Sequence, residues 1–233
     1  MSNSKSFLHT PLSAWLNRTQ PLPPRFYTPG YKDAIKDSWS IWLSVEEVAL
    51  LHNAPSMNWI GLKEARRNTK EYLESADEII NGLEGGWLDR EEQGWLRETL
   101  GEAPLPSLPI YLITCANESR EELVYVGKTV NSSRFTGGHS AALKLHAPEY
   151  SNKVKKIYRS TVWLHDDHDY ISFDWVQPEE LAVALLDSVE SQLIYTFQPA
   201  LNTDKKRKNY AKWDFYIHIQ NFLEGRFLND EFI

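Results

Sequence analysis

The spacing of apolar residues predicts helices in the first part of the chain. Ser44 followed by Glu47 matches a capping box before an apolar run, so residues 39–100 are expected to open with a helix. A second helix is predicted at 61–81, where apolar side chains recur at helical spacing, and a third opens at Asp89. The proline-rich arm before them is predicted to be irregular.

The pattern changes to strand-like alternation after a proline-rich linker at residues 101–109. The runs PIYLITC and ELVYVG predict one β-hairpin, and the runs RSTVWLH and YISFDWV predict another. Helices are predicted at 132–146, 179–197 and 209–224. The sequence therefore predicts an α+β protein in two parts, a mainly helical region of unknown role at 1–107 and an α+β domain at 108–233.

Composition indicates the compartment and the overall charge. The single cysteine, Cys115, can form neither an intrachain disulfide nor a four-ligand zinc site, and the N-terminus has no apolar run typical of a signal peptide. No stretch is long enough to predict a membrane span, so we expect a cytoplasmic protein without a membrane partner. The net charge of −7 weighs weakly against nucleic acid as a partner, but the cations are clustered.

Two clusters of cations are candidate phosphate-binding surfaces. The first comprises Lys153, Lys155 and Lys156 with Arg159. The second comprises Lys205, Lys206, Arg207 and Lys208 with Lys212. The alternative for each cluster is a solvated loop that only raises solubility.

The helix predicted at 179–197 carries a carboxylate at the edge of its apolar stripe. Glu190 follows Leu186 by four positions and precedes Leu193 by three, so it lies beside the face that packs on the sheet. A carboxylate there costs free energy unless it has a partner. Taken alone, the position is typical of a glutamate that pairs with a lysine at the helix surface.

An ordered set of residues changes that interpretation. PIY is followed by YVG on the adjacent predicted strand, then by an arginine, a glutamate in a long helix and an asparagine after QPAL. This order and spacing resemble the GIY-YIG nuclease family over about residues 108–203. The resemblance implies a small three-stranded antiparallel sheet with flanking helices. Pro109 departs from the family by replacing the first glycine, although proline is compatible with the first residue of a strand.

The resemblance assigns the residues of the two strands as follows. Tyr111 belongs to the first tripeptide, and Tyr125 and Gly127 belong to the second, which Lys128 follows directly. Gly127 lets the backbone bend where nucleic acid approaches. Tyr111 is the first candidate for the general base and Tyr125 is the second, because a nearby cation lowers the pKa of a tyrosine hydroxyl.

The remaining candidate residues follow the second strand. Arg134 corresponds to the catalytic arginine of the family, which binds the scissile phosphate. His139 corresponds to a histidine that follows this arginine, with the role of an auxiliary base or phosphate ligand, and His146 is the competing candidate. Glu190 corresponds to the metal-binding glutamate, and Asn202 corresponds to the terminal asparagine.

The implied chemistry is hydrolysis of a phosphodiester bond with Mg²⁺ or Mn²⁺. A cation held by Glu190 and several waters would neutralise phosphoryl charge and assist the leaving 3′-oxygen. The sequence therefore predicts a metal-dependent DNA endonuclease of the restriction, phage-defence or mobile-element type, with the preference for DNA over RNA left open. The helical first part is expected to support a homodimer or to bind a protein partner.

Two alternatives remain at the level of the sequence. The first is a non-catalytic nucleic-acid-binding or protein-interaction module with the same fold, which Pro109 favours. The second is an unrelated α/β domain in which the match is a coincidence. If the match is a coincidence, we expect the candidate residues to lie far apart in the structure. A nuclease requires that they meet in one cleft.

Overall fold

The computed structural model of the protein describes residues 11–22, 39–57, 59–83, 86–118, 120–130, 140–165, 170–176, 178–223 and 227–233. In this part of the chain the strands are β1 (Ser40–Leu50), β2 (Ile110–Ala116), β3 (Glu121–Lys128), β4 (Val154–His165), β5 (Tyr170–Ser172), β6 (Tyr216–Asn221) and β7 (Glu231–Phe232). The helices are α1 (Pro11–Leu16), α2 (Leu62–Ile80), α3 (Arg90–Thr99), α4 (Ser140–Lys144) and α5 (Glu179–Phe197). Short 3₁₀ segments lie at Leu51–Ser56, Pro148–Tyr150 and Phe173–Trp175.

The strands form one mixed sheet in the order β3-β2-β4-β1-β6-β7, with β5 beside β4. Only β1 and β6 pair in parallel, and the other neighbours are antiparallel. Strand β5 pairs with the end of β4 along the edge opposite β1. The α+β class is therefore confirmed, but the sheet is larger than the three predicted strands because β1 and β6 extend it.

Residues 40–50 form a strand, so the helix predicted here is wrong. Ile41, Leu43 and Val45 are buried at every second position and pack in the main core, which is strand periodicity. Ser44 does not cap a helix, because its hydroxyl donates to Glu46 Oε1 at 2.5 Å. Strand β1 lies between β4 and β6, and this central position favours the extended backbone.

Residues 216–221 also form a strand where a helix was predicted at 209–224. Phe215, Ile217 and Ile219 are buried and alternate with the less buried Tyr216 and His218. Strand β6 pairs with β1 along its whole length. Its backbone groups therefore find hydrogen-bond partners in the sheet instead of within a helix.

Several other predicted elements in the described residues are confirmed, whereas the strand predicted for YISFDWV ends at Ser172 and is followed by the 3₁₀ segment Phe173–Trp175. Helices α2, α3 and α5 and the hairpin of β2 and β3 occur where they were predicted. Helix α3 begins with a capping box in which Asp89 accepts from the Glu92 backbone and the Glu92 side chain accepts from Asp89 N–H. The N-terminal arm was predicted to be irregular, but it contains α1, whose Trp15 and Leu16 are buried with α2 and α3 and so hold it in place. Most of the helix predicted at 132–146 lies outside the described residues, and α4 forms its end.

The two faces of the sheet carry separate apolar clusters. On one face α5 packs against Leu112 of β2 and Val126 of β3. On the other face the tyrosine Tyr111 packs with Ile113, the 3₁₀ segment after β1 and α4, and we call this side the tyrosine face. The sheet joins β1 to strands that come after residue 107. The predicted division of the chain into two domains at that residue stays a prediction. No helix in the described ranges combines the length and apolar character needed to cross a membrane.

Candidate active site

The two tyrosines of the candidate site pack together at the open end of the β2–β3 hairpin. Tyr111 is opposite Gly127 in the register, and its side chain is fully buried. Its ring stacks on Tyr125 with centroids 6.0 Å apart, and Trp59 meets it edge-on at 5.9 Å. A Cβ on Gly127 would overlap the end of the Tyr111 side chain, so glycine is required for this close approach.

Pro109 fits the start of β2, as the sequence predicts. It lies one residue before the strand, and its carbonyl accepts from the Thr129 N–H at 2.8 Å. The missing N–H of proline therefore does not interrupt the pairing of β2 with β3.

Asn202 binds the outer edge of β3. Its Oδ1 accepts from the Val126 N–H and its Nδ2 donates to the Val126 carbonyl, each at 2.9 Å. Leu201 N–H donates to the Val124 carbonyl at 2.9 Å, so the chain after α5 pairs with this edge strand as a neighbouring strand would. Asn202 thereby fixes the backbone between Tyr125 and Gly127.

Two ion pairs link α5 to the strand exit and to the following loop. Glu190, which is 8% exposed, accepts from Lys205 Nζ at 2.6 Å through Oε2. Asp187 lies three residues earlier on the same helix face and pairs with Lys128, the residue that ends β3. The loop, the helix and the strand end therefore meet on one side of β3.

The structure places the tyrosines and Glu190 on opposite faces of the sheet at β3. The tyrosines lie on the tyrosine face, whereas α5 covers the opposite face. The chain that leaves α5 passes the β3 edge at Asn202, and Leu201 packs on the tyrosine side. Arg134 and His139 lie outside the described residues. The competing candidate, His146, lines a cavity elsewhere on the tyrosine face.

The first cation cluster is divided between the two faces of the sheet. Lys155 is opposite Cys115 on β2, and Cys115 belongs to the apolar cluster of the tyrosine face. Lys156 points to the other face, because side chains alternate along a strand, and it pairs with Glu121 at 2.8 Å. The cluster is thus not one continuous phosphate-binding surface.

The second cation cluster lies in the loop that continues from Asn202. Lys205 pairs with Glu190, and Lys206 donates to the Pro199 carbonyl at 3.0 Å. Arg207 is exposed, and the Lys208 ammonium lies 5.6 Å from the centre of the Tyr210 ring. Of the two clusters, this one lies beside the candidate site.

The side chain of Glu190 fits the binding of a hard cation. It is an almost buried carboxylate, and carboxylate oxygens are the ligands that Mg²⁺ prefers, but a cation would have to displace the Lys205 ammonium that pairs with it. In the described part of the chain, no three His, Cys, Asp or Glu side chains come together as a metal site. A cation here would therefore be held by Glu190 and water.

A buried network behind Tyr111 was missed by sequence reasoning. The Arg159 guanidinium lies 4.5 Å from the centre of the Trp59 ring, and its Nε is 3.1 Å from Glu47 Oε2. Burial lowers the pKa of Arg159, and the Glu47 carboxylate opposes that shift. Trp59 contacts Tyr111 in turn, so this network supports the tyrosine from behind. Only the pairing of β1 with β4 reveals it, because Glu47 and Arg159 are distant in sequence.

Comparisons of the chain with protein-family models, with curated proteins and with solved structures find no match. The functional assignment therefore depends on the chemistry of these residues and on their arrangement.

Proposed function

We propose that this protein is a metal-dependent endonuclease that hydrolyses DNA phosphodiester bonds at a GIY-YIG-like site. The observation that carries the proposal is the grouping at the edge of β3, where the motif residues are held by specific contacts. Tyr111 and Tyr125 stack beside Gly127. Asn202 hydrogen-bonds the backbone between Tyr125 and Gly127. Tyrosines that served only to pack the core would not also require Gly127 beside them and an asparagine bound to the edge of the same strand.

The charged side chains at the same edge suit a bound phosphate and a cation. Glu190 would hold Mg²⁺ or Mn²⁺, which when bound supplies charge neutralisation and stabilises the leaving 3′-oxygen. Lys128 ends β3 and would donate to a phosphate oxygen, as would Arg134 from the following segment. Tyr125, which is partly exposed, would take the proton from the attacking water, and the fully buried Tyr111 would hold its ring in position.

One observation favours the alternative, a non-catalytic nucleic-acid-binding module. Glu190 is already neutralised by Lys205, so the chain satisfies this carboxylate without a metal. A metal-dependent enzyme requires that the cation compete successfully with that ammonium. The two functions therefore differ in whether divalent cations bring about cleavage.

The experiment compares cleavage by the wild-type protein and by Glu190→Gln. Supercoiled plasmid, phage DNA and a structured RNA are incubated with Mg²⁺, with Mn²⁺ or with EDTA. We expect metal-dependent cleavage of DNA by the wild type and a decrease of about 100-fold or more in Glu190→Gln, because the variant cannot hold the cation. Glu180→Gln is the matched control, since Glu180 is exposed on the same helix.

The outcomes separate the two functions. Cleavage that survives Glu190→Gln would remove Glu190 from the mechanism. DNA binding without cleavage under every metal condition would establish the binding module instead. Thermal unfolding of both variants checks that a loss of cleavage does not come from a loss of fold.

A further inference from the structure

A cavity of about 520 Å³ opens on the tyrosine face, away from the edge of β3. Its wall is formed by the end of β1 and the 3₁₀ segment after it, by α4 and by the start of β4. The apolar lining includes Leu51 and Leu145, which belong to the same cluster as Tyr111. The cavity and the tyrosines therefore share one apolar cluster on the same face of the sheet.

The chemistry of the lining combines apolar walls with cationic and imidazole side chains. Lys153 and Lys155 come from the first residues of β4 and the turn before it, and His52 and His146 come from the opposite walls. The Lys153 ammonium also lies 5.4 Å from the centre of the Tyr150 ring. Apolar walls suit a flat ring, and ammonium groups suit a phosphate. A nucleotide presents both groups together.

The cavity lies a short distance along the sheet from the tyrosines of the candidate site. Tyr111 is opposite Arg159 and Cys115 is opposite Lys155, so the cavity rim lies four residues along β4 from the tyrosine. Four residues of strand span roughly 13 Å. Successive nucleotides of one stacked DNA strand rise about 3.4 Å, so this span corresponds to about four nucleotides.

We propose that this cavity binds one unstacked nucleotide of the nucleic-acid substrate, with the base between the apolar walls and its phosphate on Lys153 and Lys155. The proposal rests on the proposed function, because it places the cavity on the path of the same substrate. A base enters such a cavity only after it leaves the stack, and single-stranded substrate avoids that cost. The cavity thus favours substrates with an unpaired nucleotide near the cleavage site.

The test measures binding of a fluorescent single-stranded DNA oligonucleotide in EDTA, where metal-dependent cleavage does not occur. Replacing both lysines, in Lys153→Ala/Lys155→Ala, is expected to weaken binding roughly ten-fold. It also lowers the slope of log Kd against log salt by about 0.7, because the two lysines together neutralise one phosphate of a single strand. Lys70→Ala is the matched control, because Lys70 is an exposed lysine of α2 remote from the cavity.

A second variant tests the base rather than the phosphate. Ala142→Phe adds a ring inside the cavity, since Ala142 lines it. We expect weaker oligonucleotide binding with an unchanged salt slope, because a base is displaced while both lysines still neutralise phosphate. Thermal unfolding is measured for each variant so that affinity is compared only among folded proteins.

The result that overturns the proposal is wild-type affinity and salt slope in both the double lysine variant and Ala142→Phe. Binding of free deoxyadenosine monophosphate that the oligonucleotide does not displace would also overturn it, because the site would then serve a free nucleotide. Failure here is distinguishable from failure of the proposed function. If cleavage is lost in Glu190→Gln while the cavity variants bind like wild type, the nuclease proposal stands and the cavity proposal fails. If the cavity variants bind more weakly but no protein cleaves DNA, the cavity proposal stands and the nuclease proposal fails.

Discussion

Gly127 lies in a tightly packed part of the candidate site. A Cβ at this position would lie 2.8 Å from Tyr125 Cε1 and would also overlap the end of Tyr111. Tyr111 cannot move aside easily, because Trp59 and Tyr125 enclose its ring. The cost of a larger side chain is therefore shared among all three aromatic residues.

We predict that Gly127→Ala lowers the free energy of unfolding by about 1–3 kcal/mol through overpacking. In a Tyr111→Leu background the same substitution costs less, because the shorter side chain leaves room for the new methyl group. A double-mutant cycle followed by urea denaturation measures this coupling. Gly94→Ala is the control and should be stabilising by about 0.5–1 kcal/mol, since Gly94 lies in α3 with open space around it. Equal costs of Gly127→Ala in both backgrounds would contradict the packing explanation.

At the scale of elements, Glu121 joins three adjacent strands. It begins β3, and its Oε1 accepts from Thr114 of β2 at 2.6 Å and from Tyr158 of β4 at 2.8 Å. Its Oε2 accepts from Lys156 of β4 at 2.8 Å. Burial alone would raise the pKa of Glu121, but the hydrogen bonds from these three partners outweigh it and lower the pKa below the ordinary value of 4.5.

A lowered pKa in the folded state means that ionised Glu121 stabilises the fold above pH 4.5, and that this stability is lost as the pH falls through the folded-state pKa. We predict that Glu121→Gln is less stable than wild type by about 1–2 kcal/mol at neutral pH. The difference should shrink as the pH falls below 4.5. Urea denaturation across pH measures it, with Glu122→Gln as the control, because the adjacent Glu122 is exposed. A difference that grows on acidification would show that the charge is not stabilising.

At the scale of the whole molecule, the sheet unites both parts of the chain. Strand β1, which precedes the predicted division at residue 107, lies between β4 and β6. Its removal would expose the edges of two strands and one wall of the main core, because Ile41, Leu43 and Val45 pack there. Unpaired strand edges and exposed core residues favour aggregation over folding.

We therefore predict that a fragment of residues 108–233 does not fold alone. Circular dichroism during heating should show a cooperative transition for the full chain and none for the fragment. The same fragment preceded by residues 39–107 restores β1 and should recover the transition. Cooperative unfolding of the shorter fragment would support the predicted domain division instead.

The candidate residues themselves could be selected from the sequence, but their contacts could not. The order of Tyr111, Tyr125, Glu190 and Asn202 along the chain is visible without a structure. That Lys205 neutralises Glu190 and that Asn202 binds the edge of β3 depend on how the loop after α5 returns to the sheet. Loop paths of this kind follow from packing between distant elements and leave no periodic signal in the sequence.

The sequence by itself determined the elements in which local signals agree. Helices α2 and α5 have long apolar stripes, α3 has a capping box, and β2 and β3 are joined by a polar turn. Only the tertiary structure decided that β1 and β6 are strands, and that Lys155 and Lys156 face opposite sides of the sheet. Short apolar runs with charged neighbours fit a helix or a strand almost equally well. Pairing with a strand more than a hundred residues away then selects the extended form, because it satisfies backbone groups buried in the core.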